Sequence, residues 1–216
     1  MRLTAFTCER SGSPLTRRAV RHELVPVDIF APDGALPEHK VRHPFGKILA
    51  FEHAGFSLHE AGAITRYVDE AFPDPSLQPN DARTRARVNH IISILDSFVY
   101  RTLVWGIYVE CASRPASGTS SDERRITATL PKAEVCLSAL SELMDESPWL
   151  TESASSLADL HAAPIFAVFR LAPEGSRLIA AHRELAKWWY RVSSRQSFLC
   201  TQVPPRHISH GTGIVE

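Results

Sequence analysis

Apolar positions along this chain change their period once. Over the first seventy residues they fall in short runs broken by turn residues. Beyond residue 82 they recur at three and four. Residues 3–7 read as a strand, followed by a Ser/Gly-rich loop. Ser13-Pro14 then opens a predicted helix over residues 14–22, with Ser as N-cap and Pro at the first helical position. Residues 24–30 (LVPVDIF) read as a second strand, at a sheet edge because Pro26 donates no ladder hydrogen bond. Residues 30–44 form a polar connection with room for one helical turn. Two further strands, 48–51 and 56–58, flank a hairpin-sized loop at 52–55 containing Gly55. From Glu60 onward the period is 3.6, with Ile64, Tyr67, Val68, Ala71 and Phe72 on one face.

Residues 72–82 (FPDPSLQPNDA) carry three prolines among polar neighbours and read as a linker. Beyond it the pattern is helical throughout. Val88, Ile91, Ile92, Leu95, Phe98 and Val99 share one stripe. A Ser/Gly/Pro loop at 113–123 separates it from a helix with Ile126, Leu130, Leu137, Leu140 and Met144 inward. Ser156-Leu157-Ala158-Asp159 has the spacing of a capping box at the head of an apolar helix. A last helix carries Leu178, Leu185, Trp188 and Trp189. After residue 203 the chain turns polar and rich in Pro, Gly and His, as a loose tail does.

Composition narrows the possible roles. Of 216 residues 44% are hydrophobic, enough for a core. Lys plus Arg and Asp plus Glu both number 24, so a nucleic-acid or anionic-membrane partner is not favoured. Four unpatterned cysteines (Cys8, Cys111, Cys136, Cys200) fit a reducing, cytoplasmic setting. The first residues lack a signal-peptide run, and no uninterrupted apolar window approaches ~18 residues. The histidine pairs His39/His43, His53/His59 and His207/His210 lack the converging ligands a zinc site needs, so no metal is expected.

With that order established, two segments resemble a known family. HPFGKILAFEHAGFSLHEAGAITRYVDEAF and SLADLHAAPIFAVF resemble stretches of the cytosolic glutathione S-transferases, and the resemblance spans roughly residues 1–203. It implies an α+β, thioredoxin-like N-terminal domain with a mixed four-stranded sheet (1–74), a linker (75–82), an all-α helical bundle domain (83–203) and the tail (204–216). It also implies glutathione as co-substrate, a small, largely apolar electrophile as acceptor, a detoxification role, and a homodimer.

The same resemblance assigns site residues. Ile48 matches the position whose main chain pairs with the cysteinyl part of glutathione like an added strand. Leu49 stands where the family has a cis-proline. A cis bond before a non-proline costs about 3–4 kcal/mol, so Leu49 is either cis against that cost or trans with the edge shifted. Glu60 matches the acid facing the γ-glutamyl amine. Ala61 replaces a serine whose hydroxyl, with the helix N-terminus, holds the γ-glutamyl carboxylate; one such hydrogen bond is worth ~1.5–3 kcal/mol. Lys47 matches a position reaching the glycyl end. Ser11, seven residues before Arg18, matches the hydroxyl that stabilises the glutathione thiolate, with Ser13 as the other candidate. Cys8, in a C-x-x-S pattern with Ser11, offers thiol-disulfide exchange instead. Trp105 and Tyr108 match the helix lining the acceptor pocket. The expected activity is conjugation of glutathione to an electrophile. The alternatives are a binding or assembly module with weakened glutathione affinity, and disulfide exchange through Cys8. Asp159 is expected to be structural.

Overall fold

The computed structural model describes residues 2–5, 23–29, 34, 36–72, 75–151 and 154–199. The predicted helix over residues 14–22 and the tail lie outside them, as do Cys8, Ser11, Ser13 and Cys200.

Four short strands form one sheet in the order β2-β1-β3-β4. Strand β1 (Arg2–Ala5) runs parallel to β2 (Glu23–Pro26) and antiparallel to β3 (Ala50–His53), which pairs antiparallel with β4 (Phe56–His59). As Pro26 required, β2 is an edge and ends at the proline. Between β2 and β3 the chain makes the six-residue helix α1 (Pro37–Arg42).

The β3–β4 hairpin is tighter than its sequence suggested. Ala54 and Gly55 both have positive φ (50° and 82°), as a two-residue I′ turn demands. Glu52 and His53 therefore belong to β3 rather than to the loop, and the strand begins at Ala50 instead of 48.

Helix α2 (Ala61–Ala71) lays Ile64 and Val68 on Phe51 to make a small core, with Leu49, Leu58, Tyr67 and Phe72 around it. Phe72 is not on the helix: its extended backbone (φ −117°, ψ 139°) ends α2. Ala71 is exposed, and the buried carboxylate of Asp69 turns the other way. Asp69 accepts from the main-chain N–H groups of Leu77 (2.9 Å) and Gln78 (3.1 Å) and from the Ser76 hydroxyl (2.8 Å). The Pro-rich stretch is thus tied down, and Leu77 is buried in the helical core.

Helix α3 starts at Ala82, capped by Asp81, whose carboxylate accepts from Thr84 N–H at 2.7 Å. After Ile94 it continues as Leu95–Ser113 with wide, i→i+5 hydrogen bonding, and ends at Ala116. In this wider turn the core positions fall four apart: Leu95, Val99, Leu103 and Ile107 are fully buried, and Phe98 is left 63% exposed. The helix is long and apolar enough to cross a membrane by length and composition. Its apolar stripe is occupied as a bundle core, chiefly by α4 (Glu123–Met144) and α5 (Leu157–Phe169). The single last helix expected from sequence is broken at His182 (φ −95°, ψ 86°) into α6 (Pro173–Ala181) and α7 (Arg183–Ser193), which turns Leu185 and Trp188 into the core; α8 (Gln196–Leu199) follows.

Candidate functional site

The hairpin register gathers the residues that matter. Ala50 lies opposite His59, so Lys47, Ile48 and Leu49 before β3 and Glu60 and Ala61 after β4 leave the sheet at the same end. The Ile48–Leu49 peptide is cis. Glu60, the residue before α2, has φ 71° and ψ 123°, a backbone that non-glycine residues rarely adopt. Such outliers cost about 1–3 kcal/mol and cluster at functional sites. Its exposed side chain makes no capping hydrogen bond, so no side chain caps the first amides of α2.

Three histidines stand behind this edge. His39 of α1 and His43 just after it are each 1% exposed. Their rings stack at 6.1 Å, and His43 lies 4.8 Å from the ring of half-buried His59. His39 Nε2 donates to the carbonyl of Lys47 at 2.6 Å. Burial, then His59, holds His43 below the ordinary imidazole range against the opposing pull of Glu60. Among the described residues no three His, Cys, Asp or Glu side chains are placed to hold an ion.

The helical half approaches the same end. Arg66 of α2 donates twice to Asn89 Oδ1 of α3 (3.0 and 2.9 Å) and once to Gly62 O (3.1 Å), bracing sheet unit against bundle. A Cβ on Gly62 would lie 3.7 Å from Asp96 Oδ2. Asp96 accepts from His161 Nε2 of α5 at 2.7 Å. Sequence reasoning singled out neither partner. Asp96 lies sixty-five residues from His161, and only the packing of α3 on α5 pairs them. Further along α3, Trp105 is 39% exposed and Tyr108 is half-buried against the helical core.

The comparisons with known proteins agree with this geometry. Residues 15–70 match the model of the glutathione S-transferase N-terminal domain and residues 102–196 that of the C-terminal domain, together well over half of the chain. The chain belongs to the glutathione S-transferase family. Among curated relatives it is 28% identical to glutathione S-transferase F14 of Arabidopsis thaliana over 199 residues, covering 90% of this chain and 78% of that one. Glutathione S-transferase F12 of the same plant is 23% identical over 91% of this chain and 92% of its own. Among solved structures, glutathione transferase F7 from Populus trichocarpa superposes with a TM-score of 0.81 at 25% identity, covering 93% and 96% of the two chains. Apo glutathione S-transferase III does so with 0.82 at 21%, covering 95% and 98%, which bears on the fold alone. A thioredoxin-like N-terminal unit followed by an all-helical one is thus the family's fold.

Within this glutathione S-transferase frame, Asp159 is structural. Ser156 and Asp159 form a complete capping box at the head of α5. The Asp159 carboxylate also accepts from Leu150 N–H (2.9 Å) and from the Trp188 indole (2.7 Å). It joins the 144–156 connection, α5 and α7 in one buried knot. Burial pushes its pKa up, against the pull of those donors. The two described cysteines are poor thiolates. Burial and then Glu174 push Cys111 up to about 12, and burial raises Cys136. Any redox chemistry would therefore rest on Cys8 or Cys200, outside the described residues.

Proposed function

We propose that this glutathione S-transferase binds glutathione along the Ile48 main chain and conjugates it to a small electrophile. The observation that carries the reading is the shared exit of the β3 and β4 ends, which sets the Lys47–Leu49 edge beside the start of α2. Glutathione would lie across this end as an added strand. Its γ-glutamyl carboxylate would face the first amides of α2, its amine the Glu60 carboxylate, and its glycyl end Lys47. The main chain at Ala61 substitutes for the missing hydroxyl. Ser11 would donate a hydrogen bond to the thiolate, whose sulfur bonds to the electrophilic carbon as the leaving group departs with the bonding pair. Trp105 and Tyr108 would flank the acceptor, residues 1–74 and 83–203 forming the two walls joined by the 75–82 linker. A homodimeric, cytoplasmic protein belongs to the same reading, supported by family membership.

The test is retention on immobilised glutathione together with conjugation of a chromogenic electrophile. Saturable glutathione dependence, weakened tenfold or more by Glu60→Ala, is expected. The absence of both retention and activity above background would overturn the reading and leave the fold as a binding module. Loss of activity in Cys8→Ser with retention intact would shift the chemistry to disulfide exchange.

A further inference from the structure

The histidine cluster behind the edge has no part in the scheme above. His39 is buried, yet its ring touches the edge directly. The carbonyl of Lys47 can only accept, so the 2.6 Å contact fixes the His39 proton on Nε2. Its Nδ1 is then bare, and this atom and His43 Nδ1 are buried without hydrogen-bond partners among the described residues. With no acceptor beside Nδ1, a proton there would be buried unpaired, which disfavours the other tautomer. His43 stacks on one side of His39 and packs, tilted, on His59 beyond it. The main chain repeats the arrangement: His43 N–H donates to His39 O and Gly46 N–H to His43 O, both at 2.8 Å. Gly46 has φ 62°, which lets the loop turn back into Lys47.

We infer that His39 is a positioning residue for the glutathione edge, fixing the Lys47 carbonyl and with it the direction in which Ile48 presents its main chain. The inference rests on the function proposed above. Lys47 is exposed at the entry to a four-residue strand, and a buried donor reaching its carbonyl restricts the main chain there. The expected signature is in binding rather than in chemistry. An edge that is pre-set stabilises bound substrate and transition state alike, so its loss raises KM and leaves kcat unchanged.

Three variants test this. His39→Phe keeps the ring's bulk and removes the donor. His39→Gln places an amide N–H near the position of Nε2. His39→Asn carries an amide too short to reach Lys47, and takes the place of the Phe variant if that one fails to fold by circular dichroism. The expected result is a tenfold or larger rise in KM for glutathione in the Phe or Asn variant, kcat at saturating glutathione within twofold, and return of KM to within threefold of the parent in the Gln variant. An unchanged KM in a folded donorless variant would overturn the inference, as would a Gln variant no better than the Phe variant. Hydrogen exchange at the amides of residues 47–50, measured without glutathione, separates the two readings. If the parent protein shows no glutathione dependence, the proposed function fails by itself. Faster exchange in the donorless variants, restored in the Gln variant, still supports the positioning role, and equal exchange in all of them refutes it.

Discussion

At the scale of single residues the proposed site carries one departure and one outlier. Ala61 offers no hydroxyl at the start of α2, and one hydrogen bond to a charged group is worth ~1.5–3 kcal/mol. Ala61→Ser is therefore expected to tighten glutathione binding about tenfold or more, read by isothermal titration; unchanged affinity would mean the γ-glutamyl end lies elsewhere. Glu60 holds a backbone with φ 71° that glycine adopts freely. Glu60→Gly is expected to stabilise the fold by about 1 kcal/mol, a Tm gain of roughly 2–4 °C, while weakening glutathione binding. Stability and affinity moving in the same direction would show that the outlier serves no ligand. The stretch proposed to hold Lys47, Ile48, Glu60 and Ala61 was readable from the chain, because a turn, a strand and a helix start follow one another there. His39 was not. With His43 it read only as a histidine pair lacking the ligands a metal needs, and only the packing revealed a buried ring donating to a main-chain carbonyl.

At the scale of elements, local signals did well where the hydrogen bonds close locally. The capping box at Ser156 and Asp159 was visible because both partners lie within four residues. Its further ties to Leu150 and Trp188 were not, since they join three separate segments. Asp159→Ala would strand those donors in the interior, at about 1–3 kcal/mol for each unmet group. A loss of roughly 3–5 kcal/mol is expected in urea unfolding, without change in KM for glutathione if the protein still folds. The meeting of α5 and α6 is equally unforgiving. A Cβ on Gly175 would stand 2.1 Å from Phe169 O, a main-chain atom that cannot rotate away. Gly175→Ala is expected to cost about 2–3 kcal/mol and to lower Tm by roughly 5–10 °C. Phe98 shows the limit of periodicity: it fits a 3.6-residue stripe and is left outside by the wider turn of the Leu95–Ser113 segment.

At the scale of the whole molecule, buried His43 couples the fold to pH. His43 is held below its ordinary pKa by burial and by His59, with His39 and Lys47 adding to the effect and Glu60 opposing it. Above about pH 6.5 both folded and unfolded chains carry it neutral. As the pH falls below that value the unfolded chain takes up the proton and the folded one resists, so stability declines. The urea midpoint is expected to fall between pH 7 and pH 5.5, and His43→Phe to flatten part of that slope. An identical slope in the variant would place the linkage elsewhere. By itself the sequence determined the class of fold, the edge position of β2 and the turn, hairpin and helix start of the proposed glutathione-binding stretch, because each rests on neighbours a few positions apart. Tertiary structure alone decided that Asp96 meets His161, that Asp69 ties down the Pro-rich stretch, and that three histidines stand behind Lys47. Those contacts depend on how the hairpin, α2 and the bundle pack, and packing joins residues that no local period connects.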